Sequence, residues 1–293
     1  MKKDLFGKIR DNMNDFSKGH KRIAEYILNH YDKAAYMTAA KMGVAVGVSE
    51  STVVRFATEL DFEGYPELLR ALQDVMRNKL TSVQRIEVTS DQIGDNDIFE
   101  KVLNLDIDKI RRTLEESSRE DFYGAVDTIV QAKRIYIIGS RSAAALARFM
   151  SYYFNLMFED SKLVNSTSTS EMFEQILRID EKDVIIGISF PRYSTQTVKA
   201  LQYASSKNAK VIAISDGMNS PLAEHANHLL LARSDMASFV DSLVAPLSLI
   251  NALIVAIGIK KRKEVSHNFE MLEDIWEQYE VYETNKEKHP DGQ

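Results

Sequence analysis

The chain has 293 residues, 44% of them hydrophobic and 27% charged, an ordinary globular composition with room for about two domains. It has no cysteine, which excludes disulfides and thiolate metal sites, and its six scattered histidines, His225 and His228 included, show no familiar ligand spacing, so neither metal nor cofactor is expected. Net charge is −6, unusual for a nucleic-acid binder, but it is unevenly spread: residues 1–85 carry +3 and residues 86–293 carry −9.

The start, MKKDLFGKIRDN, has no apolar signal segment, and no apolar run approaches the ~20 residues that span a bilayer, so a cytoplasmic protein without membrane contact is expected. From residue 5 to residue 80 the apolar pattern is helical throughout and predicts about five helices. Its most informative stretch is MTAAKMGVAVGVSESTVVRFATEL, residues 37–60. The first helix is expected over residues 38–46 with Thr38 as N-cap, and Gly47 suits a turn that needs positive φ. Ser49 then caps a second helix over residues 50–60, whose Val53, Phe56 and Leu60 share one buried stripe. That leaves Glu50, Ser51, Thr52 and Arg55 outside the stripe. The layout is a helix-turn-helix, and it assigns DNA contacts to Thr38, Ser49, Glu50, Ser51, Thr52 and Arg55. Lys18, Lys21, Arg22, Lys41 and Arg70 are available to extend a basic face. Gly64-Tyr65-Pro66 is a turn into one more amphipathic helix.

Residues 81–97 are polar, lack periodicity and read as a linker. Helical patterning returns at 98–114 and 122–132. Then RIYIIG (134–139), DVIIGIS (183–189) and KVIAIS (210–215) are short apolar runs suited to strands buried on both faces of a parallel sheet, with shorter candidates at 162–166 and 228–233. Helical segments at 143–158, 170–177, 194–206 and 239–260 alternate with them. The fold class expected is therefore an all-α helix-turn-helix domain (residues 1–80) followed by an α/β doubly wound parallel-sheet domain (residues 98–283). A final helix carries a stripe of Phe269, Leu272, Ile275, Trp276 and Tyr279. Packing on its own domain is the plainer expectation for that stripe, a subunit contact the sharper one. The basic cluster 260–263 is expected to be solvated, and residues 284–293 read as a disordered tail.

Ligands of doubly wound domains sit at the carboxyl ends of the strands. Here those ends are Gly139-Ser140-Arg141-Ser142, the polar run 165–170, the loop 189–197 and Ser215-Asp216-Gly217. Hydroxyls and helix N-termini gathered at one sheet edge make a natural anion site, although Ser and Thr are also simply good N-caps.

The two halves together resemble a known family. GVSESTVVRF followed by DFEGYPELL is similar to the N-terminal domain of RpiR-type bacterial transcription regulators. Residues 132–259 resemble their sugar isomerase (SIS) domain, with RIYIIG, DVIIGIS, VIAISD and SPLAEHANHLLL in the family's order and spacing. The resemblance implies a DNA-binding regulator whose SIS domain takes a phosphorylated sugar or related small anionic metabolite, and whose operator affinity changes when it does. On that basis Ser140, Arg141, Ser142, Ser189, Arg192, Ser194 and Thr195 are the expected ligand-binding residues. The family's phosphosugar loop runs Ser-x-Ser-Gly-x-Thr-x-Glu. This chain keeps Ser189 but has Pro191 for the second Ser, Arg192 for the Gly, Ser194 for the Thr and Gln196 for the Glu. Arg141 stands where a second glycine is common in the first loop, and Asp61 where relatives often carry Gly. Arg141 and Arg192 either clamp an anion or fill the pocket and pair with carboxylates.

Two rival functions stand beside this one. An aldose–ketose isomerase would need a base, and Glu171 and His225 are the candidates, each with a structural role available to it. A protein-interaction module would use its helix-turn-helix without DNA. The regulator reading expects no catalytic residue, operator DNA and a small anionic effector as partners, and a homodimer or homotetramer reading a palindrome.

Overall fold

The computed structural model describes residues 5–77, 97–235 and 240–282. Most of the expected linker and all of the expected tail, residues 284–293, lie outside the described residues. Packing divides the chain into two units: residues 1–108 with 191–193 and 234–242, and residues 109–190 with 194–233 and 243–293.

In the first unit α1 (Leu5–Asp11), α2 (Lys18–Asn29), α3 (Tyr31–Ala34), α4 (Ala39–Val46), α5 (Glu50–Glu59) and α6 (Tyr65–Arg77) surround one apolar core. That is six helical segments among the described residues where the sequence predicts about five. The extra one, α3, is a single turn, too short to leave a periodic signal. Ile9, Ile23, Ile27, Met42, Val53, Phe56, Leu60, Leu68 and Leu72 are fully buried, so the stripe expected on α5 does face the core. Phe16 packs against Phe56 with ring centroids 5.2 Å apart. Tyr65 is buried at the start of α6 and donates its hydroxyl proton to the Met37 carbonyl at 2.8 Å, tying that helix to the segment ahead of α4. Burial pushes the Tyr65 phenol up to about 12.

α7 (Ile98–Glu116) contains the boundary between the units, at residues 108 and 109. Then follow α8 (Arg119–Gln131), β1 (Ile135–Gly139), α9 (Ala143–Met157), β2 (Ser161–Val164), α10 (Thr169–Ile176), β3 (Val184–Ile188), α11 (Thr195–Ser206), β4 (Lys210–Ser215), β5 (His228–Leu231), α12 (Val244–Lys260) and α13 (Arg262–Gln278). The five strands form one parallel sheet of order β2-β1-β3-β4-β5. The Ile- and Val-rich runs occupy its centre: every residue of β3 is buried, as are Val211, Ile212, Ala213 and Ile214 of β4. On edge strand β5, Ser117 Oγ donates to the Leu231 carbonyl at 2.9 Å, and Arg233 N donates to Thr113 Oγ1 at 2.9 Å. Side chains of α7 and the turn after it thus satisfy backbone groups at the sheet's edge.

At the amino ends of the strands, Arg134 holds Asp183 with two parallel bonds, Nε to Oδ1 at 2.9 Å and Nη2 to Oδ2 at 2.7 Å. Nη2 also reaches Asp180 Oδ2 at 2.9 Å and the Arg178 carbonyl at 2.7 Å. The bond to Asp183 raises the guanidinium's affinity for its proton still further.

The C-terminal segment differs from expectation in two respects. The long apolar helix begins at Val244, not at 239; residue 239 is outside the described residues, and Ser242, ahead of the helix, bonds Asp106 Oδ1 at 2.7 Å. The stripe on α13 does not pack wholly on its own domain. No residue of α13 is buried, and Ile275 and Tyr279 are 48% and 71% exposed, because only one side of this helix finds a neighbour. The basic cluster does lie at the end of α12 with Lys260, Arg262 and Lys263 exposed; Lys260 also pairs with Asp127, while Lys261 pairs with Glu264 at 3.2 Å and lies over the Phe158 ring. No single helix among the described residues is long and apolar enough to cross a membrane.

Candidate functional site: a helix-turn-helix face and the switch-point loops

The helix-turn-helix is built from its caps. Thr38 Oγ1 accepts the Lys41 amide at 3.2 Å at the start of α4. Gly47 ends that helix with φ +69°, and Arg22 donates from Nη1 to its carbonyl at 3.1 Å, so a basic residue closes the turn from α2. Ser49 Oγ accepts the Thr52 amide at 3.2 Å and lies 2.9 Å from Ser51 Oγ and 2.8 Å from Thr52 Oγ1. The hydroxyls of Thr38, Ser49 and Thr52 are thus engaged in building the helix ends. Glu50, Ser51 and Arg55 are exposed, and Arg55 Nε donates to the Ser51 carbonyl at 3.3 Å, which holds its guanidinium against the face that Ser51 starts.

The far end of α5 is fixed from two sides. His20 Nδ1 pairs with Glu59 Oε2. Lys8 Nζ donates to the Leu60 carbonyl at 2.7 Å and lies 2.8 Å from Asp61 Oδ2. Asp61 has φ +61°, the conformation a glycine would take there. Sequence reasoning missed Val54 and Thr58, which share the exposed side of α5 with Ser51 and Arg55; their i, i+3, i+4, i+7 spacing was the available signal.

In the second unit the strand order reverses direction between β1 and β3, and the crevice outside the carboxyl ends there is where doubly wound sheets bind ligands. Ser140 follows β1 and Ser189 follows β3. Ser140 Oγ lies 3.4 Å from Thr197 Oγ1 and 3.5 Å from Gln196 Oε1, at the start of α11. Ser189 is buried, and its Oγ accepts the Ser194 amide at 3.0 Å; Ser194 Oγ in turn caps α11 by accepting the Thr197 amide at 3.3 Å. Gln196 Nε2 donates to Ser166 Oγ at 2.6 Å and to the Ser168 carbonyl at 3.0 Å. Gln196 therefore joins the loops after β1, β2 and β3. Beneath them Ser215 Oγ lies 2.8 Å from the Ser189 carbonyl and 2.7 Å from Ser220 Oγ, a buried hydroxyl pair anchoring the ends of β3 and β4.

Of the expected ligand residues, the structure brings Ser140, Ser189 and Ser194 into this network. Thr195 is the exposed first residue of α11. Ser142 stands at the N-cap position of α9 without a side-chain capping bond to that helix. Arg141 is exposed with φ +58°. Arg192 is exposed with φ +66° and is grouped by packing with the first unit. Both arginines hold left-handed backbone, the region that glycine accepts most freely. Of the two candidate bases, Glu171 accepts the Thr167 amide at 3.0 Å through Oε2 while its own amide bonds Ser168 Oγ at 3.2 Å, a reciprocal cap that occupies it at the start of α10. His225 ends the short 3-10 turn Ala223–His225. Among the described residues no group of three or more metal-ligating side chains could hold an ion.

Comparison with known proteins agrees with this anatomy. Residues 3–79 match the helix-turn-helix domain of the rpiR family, and residues 128–256 match the SIS domain. The HTH-type transcriptional regulator HexR of Escherichia coli K12 is 26% identical over 284 residues, covering 92% of this chain and 93% of that protein. HexR of Pseudomonas aeruginosa PAO1 is 23% identical over 265 residues, covering 88% and 90%. Among solved structures, the sugar isomerase domain of an RpiR transcription factor from Sphaerobacter thermophilus aligns with a TM-score of 0.59 at 23% identity, covering 61% of this chain and 99% of that one. Vibrio vulnificus NanR, solved in complex with ManNAc-6P, aligns with a TM-score of 0.57 at 21% identity over 92% of this chain and 98% of its own. With an rpiR-type helix-turn-helix ahead of a SIS domain, and with full-length relatives that are regulators, the chain belongs to the RpiR-type transcriptional regulators.

Proposed function

We propose that this regulator binds a palindromic operator through residues 1–80 and senses a small anionic metabolite, a sugar phosphate or sugar acid, through its SIS domain within residues 98–283. The observation that carries the sensing role is the hydroxyl-rich network at the switch point, where Ser140, Ser189, Ser194 and Gln196 meet at the N-terminus of α11. Backbone amides and the positive end of a helix favour an anion there. NanR, which shares the fold, was solved with a sugar phosphate, in keeping with this choice of ligand class. Arg141 and Arg192 supply the cationic groups, and Ser142 and Thr195 further hydroxyl donors. Glu50, Ser51 and Arg55 read bases, with Thr38, Ser49 and Thr52 holding the reading helix in shape.

The protein acts as a sensor and not as an isomerase: Glu171 is occupied as a helix cap, and Gln196 stands where the family's loop carries a carboxylate. It works in the cytoplasm as a homodimer or homotetramer, whose two-fold axis matches half-sites about 10 bp apart or a multiple of that. The exposed apolar side chains of α13 offer a surface for such pairing. Effector binding shifts operator affinity only through different affinities for two states of the protein.

A thermal-shift screen of the full chain against sugar phosphates and sugar acids tests the sensor, because a ligand of the native state raises the melting temperature. A hit whose shift is lost in Arg192→Ala supports the anion site. An unchanged shift in that variant removes the arginine from it, and turnover of any sugar phosphate would replace the sensor with an enzyme.

A further inference from the structure

The exposed side of α5 carries an apolar residue that the core does not enclose. Val54 is 40% exposed, between Ser51 and Arg55 on the one side of this helix that does not face the core. Val53, Phe56, Ala57 and Leu60 already fill the buried side completely. A β-branched residue loses side-chain freedom in a helix and is a poorer helix former than the Ala, Glu or Lys that a solvated position would favour. Val54 is therefore a poor choice for helix propensity, and two-fifths of its surface stays open to solvent where it stands.

Each of its polar neighbours makes one bond within the helix, which leaves the Arg55 Nη groups and the rest of the Ser51 hydroxyl facing outward. Thr58 Oγ1 turns back to the Val54 carbonyl at 3.3 Å, Ser51 Oγ lies 2.9 Å from Ser49 Oγ, and Arg55 Nε is bonded to the Ser51 carbonyl. What this side of the helix presents at its second turn is thus two methyl groups beside a guanidinium. In the major groove of B-DNA, thymine is the base that shows a methyl group at its edge, and apolar side chains distinguish it by contact with that methyl. The residues that reach base edges come from the first turns of the second helix of a helix-turn-helix, and Val54 is about 6 Å along the axis from Glu50.

We propose that Val54 reads the C5-methyl group of a thymine in each operator half-site, making it a base-specifying residue. The inference rests on the helix-turn-helix contacting DNA, and the experiment separates the two claims. The full chain is used to select a duplex from a randomised pool. Each thymine of that duplex is then replaced singly by deoxyuridine, which removes only the methyl. Affinities are measured by fluorescence anisotropy at one fixed salt concentration for the native chain, Val54→Ala and Val54→Thr.

The native chain should lose about three- to fivefold in affinity at one thymine per half-site, the loss expected for one desolvated methyl. Val54→Ala should bind the thymine and deoxyuridine duplexes equally, and Val54→Thr, which keeps one methyl, should discriminate in part. Thermal melts of both variants should match the native chain, since the position is outside the core. If the native chain binds the selected duplex but no deoxyuridine replacement weakens it, or if Val54→Ala discriminates as the native chain does, the proposal is overturned. Failure to select any duplex would overturn the DNA-binding function itself, and this proposal with it.

Discussion

The carbonyl oxygen of Val48 lies only 2.8 Å from the position a Cβ on Gly43 would occupy, and the Glu50 amide only 3.4 Å from it. The Val48 amide donates to the Gly43 carbonyl at 2.9 Å, so the chain folds tightly back onto α4 as it enters the reading helix. In sequence Gly43 looks like a liability, because glycine inside a helix costs about 1 kcal/mol relative to alanine. The contact reverses that judgement. Gly43→Ala should destabilise the first unit by about 1–3 kcal/mol in urea unfolding despite its better helix propensity. It should also weaken DNA binding, because the strain falls where α5 is aimed. A gain in stability would mean that the turn yields easily.

Asp183 has a fully buried carboxylate side chain, and its charge is met by the planar fork of Arg134 at the amino ends of β1 and β3. Arg134→Ala leaves that carboxylate buried without its partner, at a cost of about 3–5 kcal/mol. Arg134→Lys keeps the charge but cannot make two parallel bonds, and should fall between the two. Thermal melting of the full chain should show Arg134→Ala lowered by on the order of 10 °C in the transition of the second unit. A loss under one or two degrees would reduce the fork to a surface ion pair.

Arg141 and Arg192, at φ +58° and +66°, hold conformations natural to glycine. At most positions alanine is more stable than glycine by about 0.5–1 kcal/mol, because glycine loses more backbone freedom on folding. At these two positions the order should invert, with Arg→Gly more stable than Arg→Ala by about 1 kcal/mol, since both remove the guanidinium and only glycine accepts positive φ freely. Denaturant titrations of the four variants measure the difference directly. If alanine proves the more stable at either site, the left-handed backbone is not held there in solution.

Much of this arrangement is written in local sequence signals. Thr38, Gly47 and Ser49 mark helix ends through short-range chemistry, and each takes the cap role expected of it. The three central strands are legible because a parallel sheet buries both faces and leaves continuous apolar runs. What is not legible depends on distant residues. Arg22 looks like one more member of a basic face, yet it closes the Gly47 turn from 25 positions away in sequence. Gln196 looks like a lost carboxylate, yet it ties Ser166 and Ser168 to the start of α11. Val54 stands out only through its spacing with the exposed Ser51, Arg55 and Thr58, since an exposed apolar residue leaves no mark in the hydrophobic period itself. The turn α3 was missed because four residues cannot show one.

Tyr65 gives the first unit a pH dependence of known sign. Burial pushes its phenol from the ordinary 10 up to about 12, and the neutral hydroxyl donates to the Met37 carbonyl at 2.8 Å. The folded chain therefore holds this proton at pH values where the unfolded chain releases it. The associated stability is whole below pH 10 and is lost as pH climbs through about 12, at up to about 1.4 kcal/mol per pH unit between. Tyr65→Phe forfeits the hydrogen bond, about 1 kcal/mol at neutral pH, but has no proton to lose. Its deficit against the native chain should thus shrink above pH 10 and vanish or change sign by pH 11–12. Urea unfolding of both proteins at pH 8, 10 and 11 measures the gap, and a gap constant across that range would show that Tyr65 ionises in the folded chain as readily as in the unfolded one.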